Sequence, residues 1–275
     1  MIQSKAMLAT LNISAWTARK QDKKVSAEVE SAHGAHDAGR YNKMLVSKTL
    51  LDPISRLTGQ VREYHYSRTL PWTDSGARLL PTKLFMEYSA QIRKFKDQFD
   101  DLVKYLQTQY PNEVQSARVR LGTMYNAEDY PDVSTIKDKF SINLEFTPVP
   151  DAQDFRVDVA AEAQDELRES VTAAVSQRQA AAVKATFERV REVVSKIADR
   201  LGDDKAIFKD SLIDNARELC IVLDALNITA DPLIAEVQRA IENKLLVVTP
   251  SALRVYQSTR YRVAKDAREI LAMLP

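Results

Sequence analysis

The chain has 275 residues, 45% of them hydrophobic and 28% charged, a balance that supports a packed core and excludes an intrinsically unfolded chain. Its 39 basic residues face 38 acidic ones, for a net charge of +1, so no global field draws in nucleic acid or acidic lipid, and any such binding has to come from a local patch. Cys220 is the only cysteine, which excludes an internal disulfide framework and fits a reducing compartment, with the cytoplasm the expected address.

Met1 to Ala18 interleaves Gln3, Ser4, Lys5, Thr10, Asn12 and Ser14 with apolar residues, unlike the continuous apolar block of a signal peptide. No stretch nears the roughly 20 apolar residues of a membrane span, so no membrane partner is expected. Seven prolines from Pro53 to Pro150 punctuate the first half, none follows until Pro232, and every glycine except Gly202 precedes residue 123. This asymmetry predicts a mainly α chain with a small β-sheet (α+β), a mixed domain over 1–158 and a helical domain over 159–275. The second is expected to be a long-helix bundle or hairpin.

In chain order, Met7, Ala9, Leu11, Ile13 and Ala15 alternate with Leu8, Thr10, Asn12, Ser14 and Trp16, the two-residue period of a half-buried strand. Ile142, Leu144 and Phe146 alternate with polar neighbours in the same way, and Lys43–Ser47 and Phe155–Asp158 are shorter strand candidates. Ile54, Leu57, Val61 and Tyr64 form a helical stripe. A longer one runs Phe85, Tyr88, Ile92, Phe95, Phe99, Leu102, Leu106 and Tyr110, predicted to open near Pro81 and close before Pro111.

Val159 to Leu201 contains no Pro or Gly and predicts continuous helix, about 60 Å long at about 1.5 Å per residue. Its second half carries a strict seam of Val183, Phe187, Val190, Val194, Ile197 and Leu201, out of phase with Leu167, Val171 and Val175. That mismatch predicts a kink or a change of packing partner near Gln177 to Ala182. The seam itself is a candidate for self-association, since such stripes are commonly buried against a second subunit. Gly202 is placed to end the helix in the left-handed conformation, and Asp203 or Asp204 to cap the next helix, which carries Phe208, Leu212, Ala216, Leu219, Leu223 and Leu226. Asp231-Pro232 and Thr249-Pro250 each read as an N-cap with proline in the first helical position, giving two more helices that end near Leu274.

Chemistry is sparse. Neither a G-x-x-x-x-G-K-[ST] nor a G-x-G-x-x-G arrangement exists, so no loop is built to cradle phosphates. His33, His36 and Asp37 are the densest metal-type ligands but sit in a run of small residues without an H-E-x-x-H pattern, and read as a solvated turn. Adjacent carboxylates such as Asp100-Asp101, Glu128-Asp129 and Asp203-Asp204 diverge from one another and read as caps and solvated faces. Cys220 flanks the Leu219/Leu223 stripe and reads as an inert buried thiol. No cofactor, catalytic group or metal centre is expected.

Cations interleaved with aromatic rings remain, because cations neutralise phosphates and rings stack on bases. Trp16, Arg19, Lys20, Lys23 and Lys24 form one candidate nucleic-acid-binding segment, and Arg254, Tyr256, Arg260, Tyr261, Arg262, Lys265 and Arg268 another. Between Pro250 and Pro275 five bases oppose two acids, a net +3. The alternative for this last helix is that Leu253, Tyr256, Val263, Ala267, Ile270 and Leu274 pack inward while the arginines face water or acidic neighbours. Tyr64, His65, Tyr66, Arg68 and Trp72 make a third cluster, most of whose aromatics are expected to be packed.

Asn12-Ile13-Ser14-Ala15-Trp16-Thr17-Ala18-Arg19-Lys20, Asp37-Ala38-Gly39-Arg40-Tyr41-Asn42-Lys43, Thr69-Leu70-Pro71-Trp72, Arg78-Leu79-Leu80-Pro81, and Pro148-Val149-Pro150 with Asp154-Phe155-Arg156-Val157 resemble a family of bacteriophage and mobile-element proteins known as a domain of unknown function. The resemblance spans about residues 5 to 160. Members are often encoded near a MoxR- or CobS-like AAA+ ATPase, sometimes with a von Willebrand A-type protein. It implies an adaptor beside such a motor and brings no catalytic residues. The expectation is a non-enzymatic, oligomeric interaction protein, with a DNA-binding protein of phage replication or recombination as the alternative.

Overall fold

The structure is a computed structural model describing residues 2–152, 161–203 and 205–275. It is an α+β chain, mainly helical. Its elements are β1 (Ala6–Ser14), β2 (Arg19–Gln21), α1 (Lys23–His33), β3 (Asn42–Met44), α2 (Lys48–Arg68), β4 (Leu70–Pro71), β5 (Ala77–Pro81), α3 (Phe85–Leu121), β6 (Ser141–Pro148), α4 (Ala161–Gly202), α5 (Ser211–Leu226), α6 (Pro232–Lys244), α7 (Pro250–Val255) and α8 (Gln257–Ala272), with short 3₁₀ turns between. The strand candidate Phe155–Asp158 and the cap candidate Asp204 lie outside the described residues.

Two compact units divide the chain. One comprises Met1–Thr10, Tyr66–Glu87 and Glu145–Pro275, and the other Leu11–His65 and Tyr88–Leu144. The expected helical domain over 159–275 thus falls wholly in the first unit, which also takes in the start of β1 and the β4–β5 hairpin. One sheet has the order β4-β5-β1-β6 and a second pairs β2 with β3. In the first unit β1 runs antiparallel to β5 from Ala6↔Pro81 to Thr10↔Ala77, and β4 adds Leu70↔Leu79.

The core of the first unit forms because α4 lays its apolar stripe against α8 and α5, and α6 closes the core by packing on those two helices. Val194, Ile197 and Leu201 are fully buried among Ile213, Ala216 and Leu223 of α5, Ile234, Val237 and Ile241 of α6, and Val263, Ala267 and Ile270 of α8. Asp231 and Thr249 cap α6 and α7 by accepting from Leu233 N and Ala252 N, with Pro232 and Pro250 in the first turn. The predicted pair of terminal helices is in fact three, since Tyr256 is extended (φ −109°, ψ 103°) and breaks the run after Val255.

Helix α4 is unbroken for 42 residues, about 63 Å, and the phase shift near Gln177 falls close to a change of packing. From residue 163 to 181 no described side chain is buried, and burial begins at Ala182. Gly202 is not left-handed; it lies inside α4, where a Cβ would meet the Arg268 guanidinium at 2.4 Å. The following helix starts only at Ser211, and Asp203 instead accepts from Lys205 N in the connecting loop.

In the second unit, α3 continues past Pro111 to Leu121, contrary to the expected stop. A mid-helix proline costs about 3 kcal/mol locally. Here Tyr110, Ala117 and Leu121 are buried on either side of it, and Glu113 accepts from Ser47 N at 2.9 Å and Ser47 Oγ at 3.0 Å, tying the second half of α3 to the start of α2. Lys43 is also buried, its Nζ 2.7 Å from Asp129, 3.5 Å from Asp22 and donating to Met124 O at 2.6 Å. Asp129 is therefore an ion-pair partner and not a solvated cap. Burial opposes the Lys43 ammonium, but the hydrogen bonds and charges of Asp129 and Asp22 outweigh it and hold its pKa above the usual lysine range.

Because Ile197 is fully buried in the core that α4 shares with α5, α6 and α8, Ile197→Ala is expected to lower unfolding free energy by about 2–5 kcal/mol in urea titrations, whereas Val119→Ala, at a position 88% exposed, should change it by less than about 0.5 kcal/mol.

Candidate functional site

The proposed self-association seam is for the most part already occupied. Val190, Val194, Ile197 and Leu201 are at most 1% exposed and Phe187 is 8% exposed, all within the core of their own chain. Pairing of two copies through Val190–Leu201 is therefore corrected: α5, α6 and α8 fill the place a second subunit would take. Only the N-terminal end stays accessible, at half-buried Val183 and the edge of Phe187.

That end opens into a groove of about 710 Å³ lined by Ala180, Val183, Phe187, Thr229 and Pro275, with Ser176, Gln179, Lys184, Glu188, Arg191 and Asp231 around it. The α4 residues recur every three or four positions over Ser176–Arg191, so the groove follows one helical face for about 22 Å. Its other wall is the loop after α5. Arg191 donates to the Pro275 carbonyl, and the Thr229 hydroxyl is buried without a hydrogen-bond partner. The volume suits organic or peptide ligands, and the walls are apolar with polar groups at the margin.

The two basic-aromatic segments part company. Trp16 is half-buried, its ring edge-on to Tyr110 at 6.1 Å with Lys139 Nζ 5.7 Å above it. It is packed and not displayed. Arg19 and Lys20 on β2 and Lys23 and Lys24 in the first turn of α1 are all exposed. At the other end, Arg260 donates to the carbonyls of Leu201 (3.2 Å), Arg200 (2.8 Å), Ala206 (2.9 Å) and Asp203, closing the C-terminus of α4. Arg254 pairs with Asp210 and lies 5.2 Å from the centroid of the Phe208 ring, with Arg260 at 5.5 Å. Arg254 and Arg260 are thus structural, a correction to their assignment as phosphate contacts. The helix break at Tyr256 lets both guanidinium groups flank one ring. Tyr261, Arg262 and Lys265 are exposed, with Lys265 Nζ 3.9 Å from Glu269. Tyr256 was expected inward but is 60% exposed, while Leu253, Val263, Ala267 and Ile270 are buried.

Sequence pattern gave no sign of Arg189. It donates to Tyr66 O and Ser67 O, both at 2.9 Å, and to Thr69 O at 3.0 Å, the orphan carbonyls where α2 ends. Burial, then the charges of Arg78 and Arg68, bring its pKa down to about 10. Arg78 donates to Thr69 Oγ1 at 2.7 Å and lies 4.6 Å from the Tyr66 ring, and Arg178 lies 5.7 Å from that of Trp72. Of the Tyr66–Trp72 cluster, Trp72 is packed as expected, at 5% exposed, whereas Tyr66 is 53% exposed. In the second unit His65 Nδ1 lies 2.6 Å from Tyr88 Oη.

His33 and His36 are exposed, and among the described residues no group of three or more His, Cys, Asp or Glu is placed to hold a metal ion. No described helix is long and apolar enough to cross a membrane. Compared with known proteins, the chain matches no family model, no curated protein and no solved structure.

Burial pushes the Cys220 thiol up to about 12, and Glu242 adds to it. A folded pKa above the unfolded one contributes stability that is complete below about pH 9 and is lost as pH rises toward 12. Alkylation of Cys220 at pH 8 is accordingly expected to follow the global unfolding rate. Labelling at the rate of a free thiol under native conditions would contradict this burial.

Proposed function

We propose that the chain is a non-enzymatic interaction protein, an adaptor whose docking element is the outer face of α4 along Ser176–Arg191. The groove beside Val183 and Phe187 carries this reading. It is long, apolar at its floor, bordered by paired charges, and lies where the covered second half of α4 begins. Such a surface takes an amphipathic helix by its i, i+3, i+4 and i+7 side chains.

A second copy of the chain is the occupant best matched to it. Lys184 and Glu188 are four residues apart and exposed. In an antiparallel pair of α4 helices with a two-fold axis at the height of Thr186, each Lys184 faces the partner's Glu188. That contact is isologous, so one surface serves both copies. The resemblance of residues 5 to 160 to the phage and mobile-element family adds a MoxR- or CobS-like AAA+ ATPase as the further partner of such an oligomer.

Light scattering is expected to show a dimer or larger assembly at micromolar concentration. Lys184→Glu and Glu188→Lys should each weaken it roughly tenfold or more through like-charge contacts, and the double exchange should restore it. A wild-type chain that stays monomeric and retains no ATPase in pull-downs removes the proposal.

A further inference from the structure

A different surface, in the second unit, suits a different partner. Strands β2 and β3 pair as a short ribbon, Arg19↔Met44 to Gln21↔Asn42, and α1 is inserted between them, closed by Gly34 in the left-handed conformation at φ 59°. None of the 11 residues of α1 is buried. The helix is held by polar contacts at its ends: Asp22 accepts from Val25 N at 3.2 Å, Ser26 Oγ accepts from Tyr41 N at 3.0 Å, and Glu30 accepts from Ala38 N at 3.2 Å.

Cations crowd the start of this insertion. Arg19, Lys20, Lys23 and Lys24 occupy four of six consecutive positions and are all exposed. The one acid among them, Asp22, is engaged by the buried Lys43 at 3.5 Å and by the Val25 amide. Arg19, Lys20 and Lys23 have no acidic partner among the described residues, and Lys24 reaches Glu28 only at 4.0 Å with its side chain 87% exposed. The first turn of α1 contains no acid, so two lysines stand at the positive end of the helix dipole, where each costs about 0.3–1 kcal/mol. Folding gains nothing from this arrangement, whereas a polyanion laid across the corner would be met by four mobile cations. The remaining charges of the insertion, Glu28, Glu30, Asp37 and Arg40, are further along the chain.

Rings decide which polyanion. Single-strand binding needs exposed aromatic platforms, yet Trp16 is packed on Tyr110 and only Tyr41, 41% exposed, is displayed on the insertion. We infer that the β2–α1 corner is a contact surface for the phosphate backbone of duplex nucleic acid, without base readout, through Arg19, Lys20, Lys23 and Lys24. The inference is independent of the α4 groove.

Fluorescence anisotropy of a short labelled DNA duplex, titrated with the full chain over a range of salt, tests it. Four phosphate contacts predict a log–log salt slope of about −3 to −4. Arg19→Glu/Lys20→Glu and Lys23→Glu/Lys24→Glu should each lower affinity roughly tenfold or more and flatten the slope by about two. Arg262→Glu/Lys265→Glu, which reverses two exposed cations of α8, should leave both unchanged. The milder Lys23→Gln/Lys24→Gln, with circular dichroism on every variant, separates lost contacts from lost fold and is expected to weaken binding in the same direction. Absence of duplex binding at low salt, equal loss in the α8 variant, stronger binding to the single strand, or adsorption to phosphatidylserine vesicles without duplex binding would each overturn it.

Discussion

Burial of the α4 stripe from Phe187 to Leu201 in the core it shares with α5, α6 and α8 is the constraint on which the first unit depends. A 42-residue helix has one apolar face to satisfy, and this one satisfies only its second half within the chain. From Ala182 onward core burial dictates every third or fourth residue. Before it, from residue 163, the helix carries half-buried and exposed side chains and no core. The boundary between these regimes is where the groove opens. Its position follows from the length of α8, which runs only 16 residues alongside.

Arginine is the second recurring device. Arg260 closes the end of α4 on four carbonyls, Arg189 closes the end of α2 on three, and Arg120 donates to Met44 O and Leu45 O. A helix leaves its last four carbonyls unpaired, and a guanidinium, with five donors in a rigid fork, can meet several at once. A left-handed glycine, Gly122 at φ 53°, follows α3, whereas α2 and α4 end without one. This use of arginine also explains why charge counting along the chain overstates the cations free to meet a ligand.

How far the sequence revealed the molecule varies with the kind of signal. The mainly helical α+β class, the seam from Phe187 to Leu201, and the caps at Asp231 and Thr249 were legible because period and cap chemistry are local. Strands β1 and β6 were legible from alternation. Helix α1 was not, since a helix that buries nothing needs no apolar period. The passage of α3 through Pro111 was not, because packing of Tyr110, Ala117 and Leu121 overrides a local penalty. The partners of Arg189, Arg260 and Lys43 lie from 21 to 123 residues away, and no spacing rule reaches that far. Whether an apolar seam meets another helix of its own chain or of a second chain is likewise not written in its period.

Two surfaces carry the functional proposals: the groove on α4, apolar with balanced charge, and the exposed, basic β2–α1 corner. Their chemistries differ. The groove assignment rests on the α4 seam being closed inside one chain, and hydrogen–deuterium exchange read at several protein concentrations tests that most directly. Amides of Val190–Leu201 should exchange only through global unfolding, with protection independent of concentration. Protection of that segment that appears only as concentration rises would mean that a second copy, and not α5, α6 and α8, covers the seam.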